Sequence, residues 1–263
     1  MYYPQSRFGG LLEYRQIIFE KKGMAFPDDW PGTRAGDAEE AMKSMELKEK
    51  WNRRPHGKRE SWAKVIPGGE IGDPFKCDWS LLRKDNVDVD PIERIKEQAK
   101  TAMGEVDSVR LGKHFLLPPE YAKLLLLKRS PMISTVDLTR ALIPIQLHFL
   151  HKGNVSFRAR IYSLPKDLKQ RQKWINLFDK DLAKPPKKEY PQSPAEADLL
   201  GFVTTGNVCL SEGRGRAVGA LSWIKAEEEE ERWLTEKAYK RWCIVRDAGL
   251  DIGRLAKWDV ISH

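Results

Sequence analysis

Ten cations on separated segments carry the chemistry this sequence is best equipped to do, which is to neutralise phosphates. Four of them, Arg53, Arg54, Lys58 and Arg59, lie in KWNRRPHGKRESWAK (50–64), where Lys50 and Lys64 add further charge against the single Glu60. Trp51 and Trp62 flank the cluster, and a proline and a glycine break it. Cations alone usually mark a solvated face, but interleaved with tryptophans they suit phosphate contact combined with stacking on unpaired bases. Arg158 and Arg160 form a second group, and Arg214 and Arg216 a third, in GFVTTGNVCLSEGRGRAVGAL (201–221). Arg7 and Arg15 complete the set near the start of the chain. Arg7 has two readings, a phosphate contact or a salt bridge to Glu13 or Glu20.

The spacings that would signal other chemistry fail on inspection. Five of the 19 glycines fall within residues 201–221, which invites a nucleotide-loop reading. A Walker loop needs lysine and a hydroxyl residue after its second glycine, and here Asn207 and Val208 follow Gly206. The dinucleotide fingerprint needs a glycine where Val218 stands, and Gly219 comes one residue late. Turns, bulges and close backbone packing are the remaining use for such glycines. His148 and His151 would share a face only on a helix, so in a strand they make no metal pair. There is no GxSxG nucleophile elbow and no carboxylate arrangement proposing acid–base work. The expectation is therefore no catalytic residue, no metal and no cofactor.

Composition agrees with a polyanionic partner. The chain has 263 residues with 46 Lys and Arg against 38 Asp and Glu, a formal charge of +8, and a pI near 9.3. Nucleic acid is the commonest partner for such a balance, and an anionic membrane surface the alternative. No apolar run of about 18 residues exists to span a bilayer. Met1–Gly10 lacks the apolar core of a signal peptide. Cys77, Cys209 and Cys243 are too few and too scattered for a disulfide scaffold, which suits a reducing compartment.

These side chains need elements to position them. Residues 10–23 read as a short helix stopped by Gly23, and 26–36 are too rich in proline and glycine for regular structure. Asp37 with Glu40 forms a capping box for a helix running to about Trp51, with Met42, Met45 and Leu47 among its apolar positions. Asp90 with Glu93 caps another near 91–103, and 120–129 cannot be assigned from periodicity. Ile143, Ile145, Leu147 and Phe149 alternate, as do Val155, Phe157, Ala159 and Ile161, which predicts a hairpin turning at KGN. Its opposite face would carry Gln146, His148, Arg158 and Arg160 toward solvent. Residues 164–178 read as a basic helix, followed by a proline-rich connector. Ser193, Pro194 and Glu196 cap a short helix, and 201–221 read as strand, turn, strand. EEEEERW (227–233) reads as a solvated acidic insertion, and two short strands close the chain. The expected class is α+β, with antiparallel strands and hairpins and peripheral helices. Residues 1–80 form a helical, turn-rich basic segment and 81–263 a β-rich domain.

RFGGLLEYRQIIFE followed by FPDDWPGTRAG resembles the signature region of a known family. That family is the largest protein subunit, the processing-of-precursors protein, of eukaryotic nuclear ribonuclease P and ribonuclease MRP. KWNRRPHGKRESWAK, DPFKCDW, VSFRARIY, GFVTTGNVCLSEGRGRAVGAL and CIVRDAGLDIGRLAKW continue the likeness in the family's order. It covers the C-terminal part of much longer proteins, so the chain reads as a fragment or an unusually short member. YYPQSRFGG departs from the family, which usually has a glycine-containing loop before RFGG. The resemblance implies a non-catalytic subunit that braces the catalytic RNA in precursor tRNA and rRNA processing and contacts other protein subunits. It implies a nuclear and nucleolar location, with no membrane. It also implies likeness to the fold of glycine-cleavage T-proteins, which supplies a folate-type aminomethyltransferase module as one alternative. A protein–protein scaffold with little RNA contact is the other.

Overall fold

The structure is a computed structural model that describes residues 34–59, 70–82, 115–117, 122–123, 126, 138, 140–150, 155–179, 191, 193–209, 214–235, 240–250 and 252–261. The expected helices at 10–23 and 91–103, Arg7, Arg15 and Trp62 lie outside the described residues.

Among the described residues, three α-helices and seven strands follow one another in the order α1 (Arg34–Asn52), β1 (Phe115–Leu116), β2 (Ala141–Phe149), β3 (Arg160–Ser163), α2 (Leu168–Asp179), β4 (Leu199–Cys209), β5 (Arg214–Ser222), α3 (Trp223–Thr235), β6 (Trp242–Arg246) and β7 (Gly253–Val260). The sheet runs β1-β2-β5-β4-β3-β6-β7, and β7 pairs back onto β2. β2 to β7 thus close a barrel of antiparallel pairs, each of the six strands having a neighbour on both sides. The α+β class expected from the sequence is what the structure has.

β1 and β7 share one side of β2. β1 runs parallel to Ala141 and Leu142, while β7 pairs from Ile145 to Phe149. Pro144 sits at the gap between them, where its missing N–H leaves no ladder bond broken, and its carbonyl accepts from the Ile261 N–H at 3.2 Å.

Alternation sorts the strand side chains into two cores. Ile143, Ile145, Leu147, Val203, Val245 and Trp258 fill the barrel interior. Tyr162, Phe202, Ile244 and Leu255 point outward and are covered by Cys77, Leu82, Trp174 and Trp233. Residues 70–82 thereby belong to the outer layer, with α2 and α3. Trp79 meets Phe202 edge-on at 5.2 Å and donates to Glu40 of α1 at 3.1 Å, so α1 is tied to the barrel through this segment.

Several expectations are corrected. β2 and β3 do not pair: β2 lies between β5 and β7, and β3 between β4 and β6. Alternation in the sequence reports which face a residue takes, not which strand lies beside it. Arg160 and Tyr162 do alternate with Ile161, yet all of β3 is buried because residues 70–82 cover its outer face. The exposed cationic face expected for Arg158 and Arg160 is therefore absent at Arg160, whose exposure is 0%.

Helix α1 begins at Arg34, inside the segment expected to be irregular, so Asp37 lies within the helix and not at its cap. The one-turn helix Glu196–Asp198 has Ala195 at its cap and no side-chain capping bond. The acidic run is not a solvated insertion but α3, with Glu229 and Glu230 buried at 6% and 7% exposure. Arg232 neutralises Glu229 at 2.6 Å, and Arg241 and Lys240 neutralise Glu230. Five consecutive glutamates cannot all face water on a helix packed against a barrel.

The two strands expected within 201–221 are β4 and β5, and the turn between them lies outside the described residues. The glycines of this stretch serve close approach: a Cβ at Gly201 would collide with the Ala220 carbonyl, and one at Gly206 with that of Val155. The β4–β5 register shifts at Val203/Thr205, which is the bulge such a stretch suggested. The two closing strands are β6 and β7.

Candidate nucleic-acid interface

The cationic cluster at 50–59 is an ordered promontory at the C-terminal end of α1. The helix stops there because Pro55 has no N–H to continue the ladder. The Arg53 N–H still reaches Glu49 O at 2.9 Å, and Lys58 N–H closes a 3-10 turn onto Pro55 O at 2.8 Å. Arg59 pins the loop from behind: its guanidinium donates to Asn52 O at 2.7 Å and to Arg54 O at 3.0 Å. It also stacks over Trp51 at 5.1 Å, and Trp51 meets Phe75 edge-on at 5.8 Å.

Two of the predicted residues thus turn inward. Arg59 and Trp51 are the scaffold of the loop, and Trp51 packs on protein. Arg53, Arg54 and Lys58 are exposed, with His56 between them. Arg53 pairs with Glu49 at 3.1 Å with both side chains largely in water. A pair so exposed is worth about 0–1 kcal/mol and is readily exchanged for a phosphate. These cations also complement the negative end of the α1 dipole, which is their purely structural use.

The second predicted group splits. Arg160 is enclosed by protein: it donates to Ile71 O at 3.1 Å, Asp73 O at 3.0 Å and Arg158 O at 2.8 Å, and lies over the Phe202 ring at 5.6 Å. Its Nε stands 3.2 Å from Glu70 Oε1, an ionic contact without hydrogen-bond alignment. Arg246 grips the same carboxylate in a fork, at 2.5 Å and 3.0 Å, and donates to the Tyr162 hydroxyl at 2.8 Å. The Gly249 N–H, in a left-handed turn at φ 78°, donates to Glu70 at 2.7 Å. Burial would push the Glu70 carboxyl up, but the Arg246 hydrogen bonds and the charges of Arg160 and Arg246 outweigh it and hold it below 4.5. This cluster is a buried tether, and sequence reasoning missed Glu70. Its only signal was one acid amid IPGGEIG.

Arg158 is half-buried, with a left-handed backbone at φ 69° and a buried Nε that has no hydrogen-bond partner. Burial, and then the charge of Arg160, disfavour its charged form. Its loop is fixed by the Ser156 N–H on Asp247 at 2.7 Å and by the Arg158 N–H on Val203 O at 2.8 Å.

Arg214 and Arg216 lie on β5, away from the 53–59 loop in sequence. Arg216 is half-exposed, opposite Asn207 on β4 and His148 on β2. Arg160, enclosed by protein, is the predicted cation that the structure removes from any surface patch. Among the described residues no group of three or more His, Cys, Asp or Glu could hold a metal, and no helix is long and apolar enough to cross a membrane.

Comparison with known proteins gives this geometry a family. Residues 1–79 match the POPLD (NUC188) domain, and residues 176–262 match the POP1 C-terminal domain. The Ribonucleases P/MRP protein subunit pop1 of Schizosaccharomyces pombe is 29% identical over 259 residues, covering 98% of this chain and 29% of the relative. The Ribonucleases P/MRP protein subunit POP1 of Saccharomyces cerevisiae is 26% identical over 311 residues, covering 98% of this chain and 34% of the relative. The chain thus spans about a third of the length of these relatives. Glu70 lies in the first matched domain and Arg246 in the second, so the buried tether joins the two. The chain belongs to the POP1 family, with a POPLD domain at one end and a POP1 C-terminal domain at the other.

Proposed function

We propose that this chain is an RNA-binding scaffold of a ribonuclease P or MRP particle, bracing the RNA that performs cleavage and not cleaving it itself. The observation that carries the reading is the loop at 53–58. Three exposed cations on a fixed backbone, held by Arg59 and Trp51, make a rigid positive surface on a chain of net charge +8. A rigid surface of this kind loses little entropy on meeting phosphates, and favours a folded RNA of matching shape over a particular base sequence. The particle's processing of precursor tRNA and rRNA, and a nuclear and nucleolar location, follow from the same reading, as does contact with other protein subunits.

The test is a triple variant, Arg53→Gln/Arg54→Gln/Lys58→Gln. Each neutralised phosphate accounts for about 0.7–0.9 of the slope of log affinity against log salt, so removing all three cations lowers it by about 2–3. An unchanged slope on a folded variant refutes the role of the loop. A second reading has one observation in its favour: Met42 and Met45, at 62% and 65% exposure on α1, suit contact with another protein. Charge substitutions would leave such a contact intact.

A further inference from the structure

Two residues other than glycine hold a left-handed backbone among the described residues, Arg241 at φ 61° and Arg158 at φ 69°. That conformation crowds the Cβ of an L-residue, so it persists only where something compensates for it. Arg241 has its compensation in view. Its guanidinium reaches Glu230 and Asp259 and lies over the Trp258 ring at 5.2 Å. Arg158 has no such contact. Its turn makes two hydrogen bonds, from the Arg158 N–H to Val203 O at 2.8 Å and from Arg160 Nη1 to the Arg158 carbonyl at 2.8 Å. Both use only the Arg158 backbone, so glycine would make them equally well and without the strain.

The Arg158 side chain has no counterpart in the protein. Among the described residues it forms no hydrogen bond and no ion pair, and its Nε is buried without a partner. The carboxylates that feel its charge are engaged elsewhere: Glu70 serves Arg160 and Arg246, and Asp247 holds Arg254 at 3.1 Å and the Ser156 N–H at 2.7 Å. Burial and the charge of Arg160 disfavour the cation, and the pull of these two acids does not offset them. A half-buried guanidinium that its own protein leaves short of an anion is suited to take one from outside, and its planar fork matches a phosphate. The surroundings favour a nucleic acid as the source. Ser156 beside it is exposed, and Phe157 carries Lys43 of α1 over its ring at 5.5 Å. Lys43 stands nine residues before the end of α1, so the turn adjoins that helix about 14 Å from the end bearing the 53–58 loop. One folded RNA can reach across that distance.

We propose that Arg158 is a phosphate-binding residue, which a strained turn presents to an RNA backbone beside α1. This rests on the RNA-scaffold reading and adds to it a contact separate from the 53–58 loop. The strain is a cost in stability that is kept for binding. Because the side chain is already half-buried, it loses little further freedom when the phosphate arrives.

The experiment compares Arg158→Gly and Arg158→Lys with the wild-type chain. Glycine removes the cation and the strain together, whereas lysine keeps both. Thermal unfolding is expected to place Arg158→Gly at or above the wild-type midpoint. Its binding to ribonuclease P RNA over a salt series is nevertheless expected to lose about 0.7–0.9 of slope, while Arg158→Lys stays near the wild-type slope. A glycine variant that melts below wild type gives the side chain a structural role and overturns the proposal, as does one that keeps the wild-type slope. Equal loss of slope in the lysine variant overturns the phosphate contact. In parallel, modification of Arg158 by phenylglyoxal, read by mass spectrometry, is expected to fall several-fold when that RNA is bound. An Arg158 that does not react in the free chain, or reacts equally with and without RNA, overturns the site. Protection by inorganic phosphate at the same phosphate concentration, or by an acidic protein and not by RNA, overturns RNA as its occupant. If the 53–58 triple variant loses slope while Arg158→Gly does not, the scaffold reading survives and this contact fails alone. A wild-type chain that binds no RNA overturns both.

Discussion

Glu70→Gln is the substitution for which the structure sets the clearest magnitude. The Glu70 side chain is 1% exposed and is the carboxylate shared by Arg246, Arg160 and the Gly249 N–H. Glutamine keeps the volume and one acceptor, so no cavity opens. What disappears is the negative charge that balances two guanidinium groups, themselves 0% and 1% exposed. Removing one partner of a buried ion pair costs about 3–5 kcal/mol, and the retained acceptor places this case near 3. For a chain near this size, 1 kcal/mol moves the midpoint by about 2–4 °C, so Tm should fall by about 6–12 °C. Acid provides an independent check. The carboxyl is held below 4.5, so its contribution is complete above the unfolded value and is lost as pH falls below it. Wild type should therefore lose stability below about pH 4.5 more steeply than Glu70→Gln. Urea unfolding at neutral and acid pH measures both effects. A destabilisation under about 1 kcal/mol, the value of a surface pair, would refute the tether.

Four further outcomes follow from the packing. Arg158→Gly should leave stability unchanged or raise it by up to about 1 kcal/mol, since left-handed backbone costs an L-residue about 1–2 kcal/mol and glycine's freer unfolded chain returns part of that. Arg158→Val should destabilise, and calorimetry of the pair checks the strain directly. Gly201→Ala should cost about 1–3 kcal/mol because its Cβ meets the Ala220 carbonyl, whereas Gly57→Ala, with nothing within 4 Å, should be nearly neutral in the same melt. Burial pushes the Glu229 carboxyl up to about 7 despite the opposing charge of Arg232. Its folded form therefore favours the neutral acid, so stability should decline between pH 4.5 and about 7, and Glu229→Gln should flatten that decline in a pH series of unfolding curves.

Local patterns were legible where neighbours in sequence are neighbours in space. The β4–β5 pair, the α1 body, α2 and the closing β6–β7 pair all follow from turn residues and alternation between adjacent segments. Pairing across distance was not. β2 lies against β5 and β7, and nothing local says so, because a period of two fixes a face and leaves the partner open. The same gap misled the reading of Arg160. Alternation correctly set it opposite Ile161, but only the packing of residues 70–82 determines whether that face meets water or Glu70. Glu230 of α3 fails similarly, since its compensating cations Arg241 and Lys240 come from the turn just before β6. Within the loop, composition found the cations but could not divide Arg59, which shapes the backbone, from Arg53, Arg54 and Lys58, which face solvent.

The most direct test of the central claim is the affinity of the wild-type chain for ribonuclease P or MRP RNA, against a tRNA-sized control, from low to high salt. An RNA scaffold predicts tighter binding to the particle RNA, with log affinity falling linearly against log salt at about 0.7–0.9 per phosphate neutralised. Equal weak binding to both RNAs, or none at low salt, would contradict it and leave the chain as a surface for proteins.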